Sequence, residues 1–156
     1  MANSTPLILV LGATGKTGGV ANNLTTRGLA VRTAARSGAD VRLDWDEPGT
    51  YAPALEGVDR VYLLGPVMRT DFAGQVTVFL DQAEAAGVRH ITYLSAYGID
   101  AAPPEMAMRS VELDLLGRQV LLTPSCDRRG SCRTSPRRSS SRSRAPSRSR
   151  PATVRP

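Results

Sequence analysis

Pro6-Leu-Ile-Leu-Val-Leu-Gly-Ala-Thr-Gly-Lys-Thr-Gly18 is the stretch that decides the fold. Its first six residues are apolar without alternation, the pattern of a strand buried on both faces of a parallel sheet. Glycines follow at once. From Lys16 to about Arg27 the spacing turns helical, with Val20 and Leu24 four apart and Gly28 placed as a C-cap.

Downstream, strand and helix patterns alternate. Leu29 to Ala35 reads as a second strand, Val41 to Trp45 as a short third, and Tyr51 to Leu55 as a short helix. Val61 to Leu64 is a fourth buried strand, closed by Gly65-Pro66. Between Phe72 and Ala86 the residues Val76, Phe79, Leu80 and Ala83 share one helical face, and Gly87 ends that helix. His90 to Leu94 is the fifth strand. Glu105 to Leu116, with Met108, Val111 and Leu115 in one stripe, is the last helix. This alternation predicts an α/β, doubly wound parallel sheet with right-handed crossovers and strand order 3-2-1-4-5.

The glycine loop carries the chemistry. Between a buried strand and a helix, glycines permit a tight turn and let backbone N–H groups approach a pyrophosphate, which rests on the positive end of the helix. The plainer alternative is a turn whose glycines serve only the backbone. Gly15-Lys16-Thr17 also looks like the end of a P-loop, but that motif needs a glycine five positions before Gly15, where Val10 stands. An ATPase is thereby excluded. At the end of the second strand, an acid would bond a ribose 2′-OH and a base would receive a 2′-phosphate. Ala35-Arg36-Ser37 offers no carboxylate until Asp40, so NADP(H) is expected over NAD(H).

Charge divides the chain. Residues 1–125 carry ten Lys or Arg against thirteen Asp or Glu, and residues 126–156 carry ten against one, so the overall +6 comes from the tail. No apolar run approaches the length of a membrane span, and the short opening run lacks the basic lead of a signal peptide. A cytoplasmic location is the default expectation. Both cysteines, Cys126 and Cys132, lie in the tail, and His90 is the sole histidine. A zinc site or a Ser-His-Asp triad has almost nothing to be built from.

Ile8-Leu-Val-Leu-Gly-Ala-Thr-Gly-Lys-Thr-Gly18, Ala34-Ala-Arg-Ser37, Leu43-Asp-Trp-Asp46, Gly57-Val-Asp-Arg-Val-Tyr-Leu63 and Gly87-Val-Arg-His-Ile-Thr-Tyr-Leu-Ser95 together resemble the NmrA-like branch of the atypical short-chain dehydrogenases/reductases. Among its subgroups, the ergot-alkaloid (festuclavine dehydrogenase-like) proteins and their bacterial relatives are the most similar. The resemblance covers about residues 6–118. It implies a Rossmann domain that binds NADPH, with hydride transfer to a small organic acceptor such as an imine or enone in intact members. The other activity that it implies is redox sensing without catalysis. Carried over by residue, it places the pyrophosphate on Gly12, Ala13, Thr14, Gly15, Lys16 and Thr17, the 2′-phosphate near Arg36 and Ser37, and the adenine near Asp44 and Trp45. Gly65, Pro66 and Ser95 would border the nicotinamide ribose. The pair used by classical relatives, a Tyr four residues before a Lys, is missing: Tyr97 is followed by Ala101, and Met108 stands where many relatives have Lys. Tyr97 is the remaining candidate proton donor.

After Leu122 the hydrophobic pattern stops. Residues 126–156 hold ten Arg, eight Ser and four Pro, a composition expected to be disordered. Such an arm would bind nucleic acid only non-specifically, through counterion release. A second explanation accounts for the composition. Relatives place after the last helix a strand reading roughly His-Thr-Leu-Leu-Arg-Pro-Ser-Trp-Phe-Met-Gln-Asn-Phe-Ser. If each codon begins at the third nucleotide of the preceding one, Leu122 to Pro136 can encode that run without conflict in the first two bases. The expectation is a frameshift near Gln119. Residues 1–118 would then be an incomplete NAD(P)-binding domain and 119–156 an out-of-frame tail.

Overall fold

The computed structural model describes residues 5–15, 17–66, 68–118 and 121–124. Six parallel strands form one sheet: β1 (Leu7–Leu11), β2 (Ala30–Ala35), β3 (Val41–Arg42), β4 (Arg60–Leu63), β5 (His90–Tyr93) and β6 (Leu121–Pro124). Their order is β3-β2-β1-β4-β5-β6, so the expected order 3-2-1-4-5 holds and gains a strand. Four helices connect them: α1 (Gly18–Thr26), α2 (Tyr51–Leu55), α3 (Ala73–Ala85) and α4 (Ala107–Gly117). This is the Rossmann-like α/β arrangement.

Strand alternation sorts the core. Leu9, Leu11, Val61, Leu63, Ile91 and Tyr93 point to one face and pack with Tyr51, Leu55, Val76, Phe79, Leu80, Val111 and Leu115 from α2, α3 and α4. Val10 and Ala21 are buried outside that cluster, on the opposite face, where α1 lies. Helices α1 and α3 end alike: Leu29 N–H reaches the Leu24 carbonyl at 3.2 Å and Val88 N–H that of Ala83 at 3.0 Å, wrapping the chain over Gly28 and Gly87.

Polar side chains tie the layers. The Asp59 carboxylate accepts from Leu7 N–H at 3.0 Å and pairs with Arg89, joining β1 to the turns before β4 and β5. Arg118 fastens α4 to α3 through Asp114 at 2.8 Å, Asp81 at 2.7 Å and Glu84 at 3.1 Å.

Two expectations need correction. The third strand stops at Arg42 instead of Trp45. Leu43 N–H still reaches the Ala35 carbonyl at 2.9 Å, but Asp44 then accepts from Asp46 N–H at 3.1 Å and bends the chain out of the ladder. The end of the sheet differs as well. Within the segment read as a tail from 119, Leu121–Pro124 pairs in register with His90–Tyr93. The edge of β5 otherwise presents unpaired backbone groups, and extended chain arriving from α4 satisfies them. Residues 125–156, with Cys126, Cys132 and the arginine run, lie outside the described residues. No helix among the described residues is long and apolar enough to cross a membrane.

Candidate functional site

Carboxyl ends of β1, β2, β4 and β5 lie along one rim of the sheet, where open parallel sheets bind ligands. The turn after β1 is built on Gly12, whose φ of 69° is left-handed. A Cβ there would meet Leu64 Cδ2 at 2.5 Å and Thr17 Oγ1 at 3.1 Å. Gly12 N–H donates to the Ala34 carbonyl at 2.8 Å, holding the turn against β2. Gly15 N–H then reaches the Gly12 carbonyl and Gly18 N–H the Gly15 carbonyl, both at 3.0 Å. Gly18 packs so closely on the Ala13 carbonyl oxygen that a Cβ would collide with backbone. Gly15 is different. Its φ is not left-handed, and among the described residues a Cβ would meet only the Gly12 carbonyl oxygen, at an ordinary 3.5 Å.

Thr17, buried at 5% exposure, turns its hydroxyl inward to donate to the carbonyls of Gly12 at 2.6 Å and Leu11 at 3.3 Å. It sits at the N-cap of α1 without a side-chain bond to the helix amides, and the first turn holds no acid. Gly18 and Val20 N–H are taken by the carbonyls of Gly15 and Thr17 at 3.0 and 2.9 Å, and the positive end of the helix dipole faces the rim. Ala13 is half-buried and Thr14 exposed on the same turn; Lys16 lies outside the described residues.

Arg36 and Ser37, just past β2, are both exposed. Among the described residues Arg36 makes no ion pair or hydrogen bond. Asp40, the nearest downstream acid, is committed elsewhere. Its carboxylate accepts from Thr33 N–H and Oγ1, both at 2.8 Å, and the backbone bond chiefly lowers its pKa.

Asp44 and Trp45 follow the bend after β3. Trp45 meets Tyr51 and Phe79 edge-on, at centroid distances of 5.7 and 5.5 Å, and Tyr51 OH donates to its carbonyl at 2.8 Å. It is half-buried, with its ring packed on the core. Gly65 lies against Phe72, 3.0 Å from the place of a Cβ, and Pro66 is buried.

At the end of β5, Ser95 Oγ donates to the Glu112 carboxylate of α4, and Arg109 holds the other oxygen at 3.0 Å. Tyr93 OH is buried beside them without a partner among the described residues; burial first, then the Glu112 charge, pushes its pKa up to about 12. Tyr97 is 77% exposed.

Sequence reading missed two arrangements. One is the Ser95–Glu112–Arg109 link. The other is Asp46, whose Oδ1 accepts from Arg69 at 2.7 Å and Gln75 at 3.2 Å, bridging the turn after β3 to the segment after β4. The Arg69 bond is the main cause that lowers the Asp46 pKa, and Arg36 adds a weaker electrostatic contribution. Neither link has a local motif to announce it.

The rim now meets known proteins. No family model matches the sequence. Over 96 residues it is 36% identical to the uncharacterized oxidoreductase YesF of Bacillus subtilis (strain 168), covering 57% of this chain and 34% of YesF. In structure it is similar to Citrobacter sp. triphenylmethane reductase complexed with NADP(H), with a TM-score of 0.64, 20% identity, and coverage of 75% of this chain and 47% of that one. The fold is Rossmann-like, shared with NAD(P)-binding reductases. The NADPH-dependent quinone oxidoreductase of Escherichia coli, complexed with NADPH, gives a TM-score of 0.63 at 21% identity over 75% of this chain and 47% of that one. A double mutant of NmrA gives 0.62 at 17% identity, covering 77% of this chain and 44% of that one. The chain thus spans about a third of the length of the curated relative and under half of these solved chains.

Proposed function

We propose that this chain is the dinucleotide-binding part of an NADPH-dependent, NmrA-like oxidoreductase. The observation that carries the reading is Gly15. Gly12 and Gly18 are explained by their neighbours in the chain, whereas none of the described residues forbids a side chain at Gly15. A ligand lying against its backbone supplies the missing reason. That ligand rests on the open N-terminus of α1, which favours a diphosphate.

In this reading Gly12, Ala13, Thr14, Gly15, Lys16 and Thr17 cradle the pyrophosphate, with Thr17 contributing its amide while its hydroxyl braces the turn. Arg36 and Ser37 receive the 2′-phosphate. The commitment of Asp40 to Thr33 supports NADPH over NADH, because no carboxylate is left at the end of β2 for a ribose diol. Asp44 and Trp45 border the adenine. Gly65, Pro66 and Ser95 border the nicotinamide ribose, where Ser95, its proton engaged by Glu112, presents lone pairs to ligand donors. The coenzyme, when bound, supplies the hydride.

In the intact protein the acceptor is a small organic molecule, as expected of the ergot-alkaloid-like subgroup. The frameshift near Gln119 belongs to the same reading, and the coding DNA tests it: third bases unable to spell the relatives' strand remove it. A dinucleotide sensor without catalysis is the second reading, favoured by the exposure of Tyr97 and by Ala101 in place of the Lys of the classical pair. Fluorescence titration of the full chain with NADPH and NADH tests the binding. Saturable NADPH binding, tighter than NADH, is expected, and no binding of either coenzyme refutes it. Hydride transfer by an in-frame version separates reductase from sensor.

A further inference from the structure

The exposed end of the sheet beyond β2 and β3 holds three acids, Asp44, Asp46 and Glu47, beside the cations Arg36, Arg42 and Arg69. Their pairing is unequal. Arg42 takes Glu47 through two bonds of 2.6 and 2.8 Å and approaches Asp44 at 3.6 Å. Asp46 is taken by Arg69, which arrives from the segment after β4, twenty-three residues away, with Gln75 of α3 on the same oxygen. Arg36 makes no ion pair among the described residues. It directly follows Ala35, whose carbonyl takes Leu43 N–H at 2.9 Å, so the end of β2 that carries Arg36 runs beside the turn that carries Asp46, and its charge adds to the field there.

An uncommitted guanidinium beside a carboxylate is ordinarily quenched by it. Here Arg69 occupies that carboxylate first. We propose that Arg69 is a specificity-determining residue for the 2′-phosphate: by holding Asp46, it keeps Arg36 free and neutralises the acid that would repel the phosphate. Arg69 acts through Asp46 and Arg36, and no contact of its own with the coenzyme is required. The inference rests on the dinucleotide reading above and adds a positioning residue from a different crossover.

The test is the ratio of NADPH to NADH dissociation constants for the full chain, measured by fluorescence titration. The ratio cancels any loss of folded protein, which lowers both signals alike. In Arg69→Gln, Asp46 is released onto Arg36, and the ratio is expected to move against NADPH by about tenfold at low salt, the scale of one elementary charge facing a phosphate in a partly solvated site. In the double variant Asp46→Asn with Arg69→Gln the acid is gone and the ratio returns to the wild-type value. Asp46→Asn alone leaves NADPH binding no weaker. A ratio that moves less than twofold in Arg69→Gln, or that stays shifted in the double variant, overturns the inference while leaving dinucleotide binding intact. A wild-type chain that binds neither coenzyme overturns both.

Discussion

Replacing Gly15 by Ala separates a glycine kept for a ligand from one kept for the fold. The added methyl lies 3.5 Å from the Gly12 carbonyl oxygen, an ordinary contact, and the backbone there is not left-handed. Restricting the unfolded chain at such a site stabilises a protein by about 0.4–1 kcal/mol, so the melting temperature should hold or rise slightly. Coenzyme binding should suffer. A methyl between the turn and the diphosphate displaces at least one charge-assisted hydrogen bond, worth about 1.5–3 kcal/mol, or roughly a 10- to 150-fold loss of NADPH affinity. Gly12→Ala is the control. It forces a left-handed alanine, costing about 1–2 kcal/mol, and drives a methyl to 2.5 Å from Leu64 Cδ2, adding about 1–3 kcal/mol of overpacking. Differential scanning fluorimetry and isothermal calorimetry on both variants decide the matter. If Gly15→Ala binds NADPH like the wild type, or melts as early as Gly12→Ala, the reasoning about the turn is wrong.

Four further outcomes follow from the packing. Tyr93→Phe removes a buried hydroxyl that has no partner among the described residues, so thermal unfolding should show a change between zero and about 1 kcal/mol of stabilisation. In the wild type, ultraviolet pH titration should leave at least one tyrosine largely un-ionised at pH 11, because burial raises the Tyr93 phenol to about 12 and raises Tyr51 and Tyr62 as well. Asp59 is held below the usual aspartate range, mainly by Arg89 and then by the Leu7 amide; its contribution is complete above the unfolded-state pKa and is lost as pH falls through the lower folded-state pKa. Denaturant melts should therefore show stability falling below about pH 4, and Asp59→Asn should flatten that decline. Arg118→Ala leaves Asp81, Glu84 and Asp114 without their shared cation between α3 and α4, and should cost about 1–2 kcal/mol in urea titration, since water screens the carboxylates left behind.

The architecture was legible because its signals are local. An unalternating run such as Leu7–Leu11, a glycine after α1 and after α3, and the Val76–Phe79–Leu80–Ala83 stripe each declare one element, and chirality orders them. Two features escaped. Strand β3 is cut short by the side chain of Asp44, which competes with the ladder for Asp46 N–H, and composition gives no warning of that competition. Strand β6 exists because β5 has an edge to fill, which is a property of the assembled sheet. The site divides in the same way. Gly12 to Gly18 and Arg36 sit at fixed offsets from strand ends and can be counted. Asp46 with Arg69, and Ser95 with Glu112, are joined only by folding, across 23 and 17 residues.

The edge-on cluster of Trp45, Tyr51 and Phe79 has an optical consequence. Trp45 is the sole tryptophan of the chain, so all indole emission originates at one address, where the turn after β3 meets α2 and α3. Its spectrum reports whether that aromatic corner is assembled. If the proposed coenzyme binds, energy transfer from this indole to its reduced nicotinamide would report occupancy from the same spot, a built-in gauge for folding and ligation without any attached dye.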